Sequence, residues 1–154
     1  MGGSWAGVVW AGFVASILAA FAFWLFRTLG LTRYSPASQL GCMVFDDPRL
    51  PAADTVGFAL FVALGTTILA ALYAWLLRAV GGPGWGSGLL VGAVHGALMA
   101  GALPWLAKAD RCVRMGRVPP PGRFGVAWGR ATPAALVAGH AVYGGIVGAV
   151  LAGF

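Results

Sequence analysis

Four long apolar stretches, with the charged residues confined to their ends and the segments between them, decide what this chain can fold into. They lie at about 5–27, 55–78, 86–107 and 132–154, and formal charge enters only at their ends, as Arg27 and Arg78. At about 1.5 Å of rise per residue, a helix of this length crosses a hydrocarbon layer about 30 Å thick. A water-soluble surface needs more polar material than the sequence holds. Only 9% of its residues are charged and 60% are hydrophobic, against about 25% and 45–50% in soluble domains. The expected fold is therefore all-α: an integral membrane four-helix bundle in one transmembrane domain over 1–154. The first run follows Met1-Gly2-Gly3-Ser4 without a cationic leader, so it reads as an anchor rather than a signal peptide.

The distribution of Lys and Arg predicts an orientation. Loops 28–54 and 108–131, with their flanks, hold Arg27, Arg33, Arg49, Lys108, Arg111, Arg114, Arg117, Arg123 and Arg130, while the other side holds Arg78 alone. Positive charge favours the cytoplasmic side. The loops, Arg117 among them, are accordingly expected in the cytoplasm of a bacterial inner membrane, with both termini outside. Anionic lipid headgroups are the natural counter-charges for the basic loops. No basic domain with interleaved aromatics exists to bind nucleic acid.

The loops carry local signals. Ser35-Pro36 predicts a capped interfacial helix reaching Phe45, and Asp46-Asp47-Pro48 a turn after it. Asp54 is the expected cap of the second span, and Thr132-Pro133 opens the fourth. Phe124 and Trp128, after the stiff Pro119-Pro120-Pro121-Gly122 segment, suit the headgroup layer. The order helix, long loop, helix occurs twice, although few residues agree between the halves. Cys42 and Cys112 are isolated in the sequence and, in cytoplasmic loops, are expected to be reduced thiols without a structural role. No metal site is expected. All four acidic residues are loop aspartates, so the membrane interior lacks carboxylates for acid–base work, and no catalytic residue is predicted.

Two features remain inside the spans. Gly88, Gly92 and Gly96 recur every four residues in the third, and Gly144 and Gly148 in the fourth. Such spacing lines one helix face with small residues, which lets backbones approach closely, so these glycines are expected at helix-packing contacts. The second feature is the pair His95 and His140, the only ionisable side chains deep in the runs. Each lies about 13 Å into its span, from opposite ends, which brings both near the midplane. Leaving imidazole nitrogens bare in lipid is costly. Neutral rings bonded to a carbonyl, Tyr143 or Thr66 satisfy them; ligation of a haem or chlorophyll by a single histidine, or handling of protons or substrate, are the alternatives. The sequence requires no cofactor, and a tetrapyrrole is the one it would accommodate at His95 or His140.

At Gly92-Ala93-Val94-His95-Gly96, Leu103-Pro104, Thr132-Pro133 and Gly139-His140-Ala141-Val142-Tyr143-Gly144 the chain resembles a set of small, uncharacterised bacterial four-helix membrane proteins. These carry a Gly-His-x-x-Tyr-Gly element in the fourth helix. The resemblance covers mainly the C-terminal half and implies the topology, without an activity. Taken together, the residues point to a non-catalytic accessory subunit of an energy-transducing membrane complex, respiratory or photosynthetic. Its partners would be other integral membrane subunits. A pigment-bearing subunit and a small carrier or channel are the alternatives.

Overall fold

The computed structural model describes residues 4–153 and is all-α. The expected places of Met1, Gly2, Gly3 and Phe154 lie outside the described residues. Four helices are long and apolar enough to cross a membrane, which is consistent with a multi-pass membrane protein: α1 (Trp5–Thr28), α3 (Pro51–Ala79), α4 (Trp85–Leu106) and α6 (Thr132–Ala152). Between α1 and α3 lies the short α2 (Pro36–Val44). The connection from α4 to α6 contains a single turn, α5 (Arg111–Arg114), and a 3₁₀ segment, Arg123–Trp128. Side-chain oxygens begin three of the described helices, α1, α2 and α5. Ser4 accepts from the Gly7 N–H at 3.2 Å to start α1, and Ser35 accepts from Ser38 to start α2. Asp54 does not cap α3. That helix starts at Pro51, where the missing proline N–H costs nothing, and Asp54 instead accepts from the Ser38 hydroxyl at 3.0 Å.

Small residues form much of the inward face of α1 while several of the largest side chains point outward, although Tyr73, Leu77, Leu103 and Leu136 are fully buried in the interior. Ala11, Ala15 and Ala19 of α1 are almost completely buried, while Trp10, Phe21 and Trp24 of the same helix are more than half exposed. Trp75, Leu90 and Leu98 are exposed in the same way. Lipid is as apolar as leucine, so burying large side chains gains little there, and close backbone packing takes over. The most extensive seam joins α4 to α6. A Cβ placed on Gly88 would strike the Gly144 carbonyl oxygen, one on Gly92 the His140 carbonyl oxygen, and one on Gly96 the Leu136 oxygen at 2.6 Å. The seam is reciprocal: a Cβ on Gly144 would meet the Gly88 oxygen, and one on Gly148 the Gly84 oxygen. Helix α1 lies on α6 and on the middle of α3.

α3 is not a uniform helix. Gly65–Leu69 forms a π turn, which widens the hydrogen-bond step to i→i+5 and displaces backbone carbonyls from their usual donors. Ser16 of α1 fills the space a Cβ on Gly65 would need. No spacing in the sequence announces this turn.

The two long loops fold onto each other. Cys42 and Cys112, 70 residues apart, form a disulfide with Cα atoms at 5.4 Å. This corrects the expectation of two independent reduced thiols. Sequence spacing carried no sign of the pairing, because it arises only once α2 docks against α5. Arg111 donates to the Val44 carbonyl at 2.8 Å, and Arg117 pairs with Asp47 at 2.7 Å. α2 in turn lies hard against the start of α3, where Gly57 leaves room for the Ala37 carbonyl and Gly41 for that of Ala53. Trp128 also departs from expectation. It is buried against protein instead of facing outward, stacked on Tyr34 with ring centroids 5.8 Å apart, and its indole N–H donates to the Pro119 carbonyl at 2.7 Å. Phe124 stays 54% exposed.

Asp47 gives the loop contact a defined pH response. The Arg49 side chain and backbone N–H donate to its carboxylate, and the Arg49 and Arg117 charges add to this, so its pKa falls to about 2 from an ordinary 3.8. A folded pKa below the unfolded one means stabilisation that is complete above the unfolded value and disappears as pH falls through the folded one. Hydrogen exchange across residues 45–49 should therefore stay constant from about pH 8 to about pH 5, once corrected for intrinsic rates, and accelerate only below about pH 4. The Asp47→Asn variant should show the faster exchange at every pH.

Candidate intramembrane binding site

Between a cluster of buried residues around Tyr73, Tyr143 and Val147 and another around Phe23, Leu103 and Leu136, the packing is interrupted by polar side chains. His95 projects from α4 and His140 from α6. Their rings meet edge to face, with centroids 4.7 Å apart. The Gly92 contact sets this distance, because it brings the α4 backbone against the His140 carbonyl.

Each imidazole has one nitrogen engaged. His140 Nδ1 lies 2.8 Å from the Leu136 carbonyl. A carbonyl only accepts, so Nδ1 carries the proton and the neutral ring keeps a lone pair on Nε2. His95 Nδ1 lies 2.9 Å from the Tyr73 hydroxyl. Tyr73 is fully buried, and among the described residues His95 is the partner its hydroxyl has. A buried hydroxyl uses its proton; donation to His95 Nδ1 leaves the His95 proton on Nε2. The two rings thus present one donor and one acceptor side by side.

These partners differ from those the sequence suggested. Tyr143 bonds to neither histidine; its hydroxyl donates to the Gly65 carbonyl at 2.5 Å, at the start of the π turn. Thr66 Oγ1 is buried without a hydrogen-bond partner among the described residues. Tyr73 was the overlooked residue. Its signal was present, since a tyrosine one turn inside the Arg78 end of an apolar span must place its hydroxyl somewhere.

Beside the rings lies a cavity of about 340 Å³, reaching from His95, His140 and Tyr143 to Tyr34, Gln39 and Met43. Phe23, Phe61, Leu69, Met99 and Leu106 supply apolar wall. Leu64 and Ile68 form an outer lip and are 40% and 67% exposed, so the cavity opens toward the lipid side of α3. Among the described residues, no Asp, Glu, Lys or Arg lines it. Tyr34 does not add charge either, because burial pushes its phenol well above the ordinary range. Gln39 is 8% exposed, and its Nε2 is buried without a hydrogen-bond partner among the described residues. Gln39 lines both this cavity and the neighbouring one toward the loops, and an unpartnered amide donor is costly unless something else accepts from it.

The arrangement does not suit a haem held between both histidines. Two iron–nitrogen bonds of about 2 Å, plus the two ring radii, separate the centroids by roughly 6 Å with the rings facing across the metal. The observed pair is closer and edge to face. The other cluster of ligand types, Cys42, Asp110 and Cys112, has both sulfurs committed to the disulfide. Asp110 there accepts from the Val113 N–H at 3.0 Å to start α5, and burial raises its pKa against the pull of that bond. No family model, curated protein or solved structure matches the chain.

Proposed function

We propose that the chain is a non-catalytic accessory subunit of a larger energy-transducing complex in a bacterial inner membrane, built as a four-helix bundle, and that it holds a lipid-soluble ligand beside His95 and His140. The observation that carries the ligand is the cavity inside the apolar part of the molecule, lined by Gln39, His95 and His140 and, among the described residues, by no Asp, Glu, Lys or Arg. Three of the four aspartates lie in the loops and Asp54 in the first turn of α3, none deeper in a long apolar helix, which supports a role without acid–base catalysis. For sidedness, the disulfide outweighs the charge count in our reading, and we place the loops on the oxidising side with the termini opposite.

Extraction of a tagged chain from native membranes in a mild detergent tests the accessory role. The chain, of 15.7 kDa, should run in native separation as part of a much larger particle with the same membrane subunits in every preparation. A chain that runs alone, or only with itself, under conditions that keep other membrane complexes intact would overturn that role.

One observation favours a second ligand reading. A histidine whose Nδ1–H is held by a backbone carbonyl is oriented as metal-ligating histidines are, so His140 Nε2 would be the atom to hold the metal of a pigment at the lipid-facing mouth. The absorption spectrum of the purified chain tests it.

A further inference from the structure

We infer that the cavity takes the ring of a quinone–quinol couple, with Gln39 at one oxygen and the His95–His140 pair at the other. The inference rests on the reading that this cavity binds a lipid-soluble ligand and names its chemical class.

Charge narrows the class first. An ionised headgroup in an apolar enclosure needs an opposite charge, and the lining supplies none. Arg27, Arg33, Asp54 and Asp110 line a neighbouring cavity toward the loops, which shares Tyr34 and Gln39 with the inner one and would favour an anionic or zwitterionic lipid head instead. The ligand of the inner cavity is therefore neutral.

Hydrogen-bonding groups narrow it further. Gln39 Nε2 needs an acceptor. At the histidine end His140 Nε2 needs a donor and His95 Nε2–H needs an acceptor. A sterol-type alcohol or a long-chain ester carries polar atoms at one end only and leaves one side of the cavity unsatisfied. A quinone has two oxygens on opposite edges of a flat ring. In the oxidised form one carbonyl accepts from Gln39 and the other from His95 Nε2–H. In the reduced form one hydroxyl oxygen still accepts from Gln39, while the other hydroxyl donates to His140 Nε2. The adjacent imidazoles, fixed as donor and acceptor by Tyr73 and Leu136, thus give each member of the couple a hydrogen bond without rearranging, and His140 Nε2 gains its donor only from the reduced form.

Shape agrees. A volume of about 340 Å³ is near the lower end for small-molecule sites, about 300–1,000 Å³, which suits one substituted aromatic ring. Phe23 and Phe61 offer it aromatic walls. The lip at Leu64 and Ile68 lets an isoprenoid tail continue into lipid.

The test uses the full chain in nanodiscs of quinone-free phospholipid, with an azido-ubiquinone and an azido-menaquinone as photoprobes. We expect saturable labelling of peptides containing Gln39 or His140, competed by the matching unlabelled quinone and by its quinol. Gln39→Leu and His140→Phe should each weaken labelling about five- to tenfold, the loss of one hydrogen bond; retention of the Cys42–Cys112 disulfide reports that each variant is folded. Should a variant misfold, competition and the labelled positions in the wild type still decide. Labelling that is non-saturable, or confined to other peptides, overturns the quinone assignment. Recovery from native membranes of a different neutral lipid, retained by the wild type and lost from both variants, overturns quinone but keeps the ligand reading. A chain that takes up neither probe and retains no native lipid overturns both. A tetrapyrrole band abolished by His140→Phe replaces the quinone by a pigment.

Discussion

Replacing Gly92 with leucine is expected to prevent the folded chain from accumulating. A Cβ at this position meets the His140 carbonyl oxygen, and lies 2.8 Å from the Ala141 Cα and the His140 carbonyl carbon. All three are backbone atoms, so no rotamer change relieves the overlap, and α4 must move away from α6. Overpacking a core against movable side chains costs about 1–3 kcal/mol; against helix backbone we expect more than about 3 kcal/mol. That is a large part of the roughly 5–15 kcal/mol that holds a typical domain together. Gly88 and Gly96 lose their contacts in the same displacement, since all three ride on one face. Gly86 is the internal control. It lies on the same helix, yet a Cβ there meets nothing within 4 Å, so Gly86→Leu should stay within about 0.5 kcal/mol of the wild type. Size-exclusion profiles and thermal melting in detergent provide the comparison. Equal yield and equal melting for Gly92→Leu and the wild type would mean that α4 and α6 do not meet at this seam.

The same seam places the candidate site. His140 is the residue whose carbonyl the missing Gly92 side chain accommodates, and its ring reaches His95 at 4.7 Å because the backbones are this close. A Gly92→Ala variant should therefore disturb the cavity before it unfolds the chain. One methyl against the His140 carbonyl shifts α4, and His95 with it, away from His140, while the Tyr73–His95 bond joins α3 to α4 outside the seam that opens. Ring-current shifts of the histidine protons would register that separation.

What could be read from the sequence follows the range of the physics involved. The four long helices were legible because exclusion of charge from lipid acts on each segment separately and leaves an uninterrupted run. The Ser35-Pro36 helix start was legible because a cap is local, within three residues. Depth arithmetic could set His95 and His140 at similar levels, since helical rise is fixed, but could not orient either ring toward the other. Orientation depends on which faces of α4 and α6 meet. Tyr73 as partner of His95, Tyr143 as partner of the π turn, and Trp128 folding inward under Pro119 all depend on contacts between separate elements. The π turn depends on the fit of Ser16 against Gly65 and has no compositional mark. The cysteines were misread for the same reason. With 70 residues between them, their meeting requires both loops to be folded first.

That disulfide leads to the second large expected effect, a reversal of the orientation that the basic residues suggest. In intact cells, an impermeant thiol reagent should label Arg123→Cys and should not label Pro83→Cys, which becomes reactive only after the membrane is opened. Both positions are exposed, one in the loop layer and one in the turn between α3 and α4. Two physical signals oppose each other here. Nine basic residues against one favour cytoplasmic loops, but this rule expresses a bias during insertion, in which the first helix and long loops also weigh. Three of the nine have a structural reason to be there: Arg117 and Arg111 tie the loops together through Asp47 and Val44, and Arg49 pairs with Asp47 within its own loop. The disulfide is a stricter condition, since buried thiols are converted to a disulfide in compartments that oxidise them and kept reduced in those that do not. Cys42 and Cys112 are 3% and 0% exposed, so the bond forms within one chain as the loops dock. Closing a ring of 70 residues stabilises by at most about 4 kcal/mol on the chain-entropy account, less where the bilayer already restricts the helices. Cells quenched with acid and alkylated before reduction should yield the wild type with both cysteines blocked, and Cys112→Ser with Cys42 free and a lower melting temperature. The opposite labelling, Pro83→Cys reactive from outside and Arg123→Cys protected, would return the loops to the cytoplasm. The two cysteines would then be recovered as alkylated thiols in the same quench.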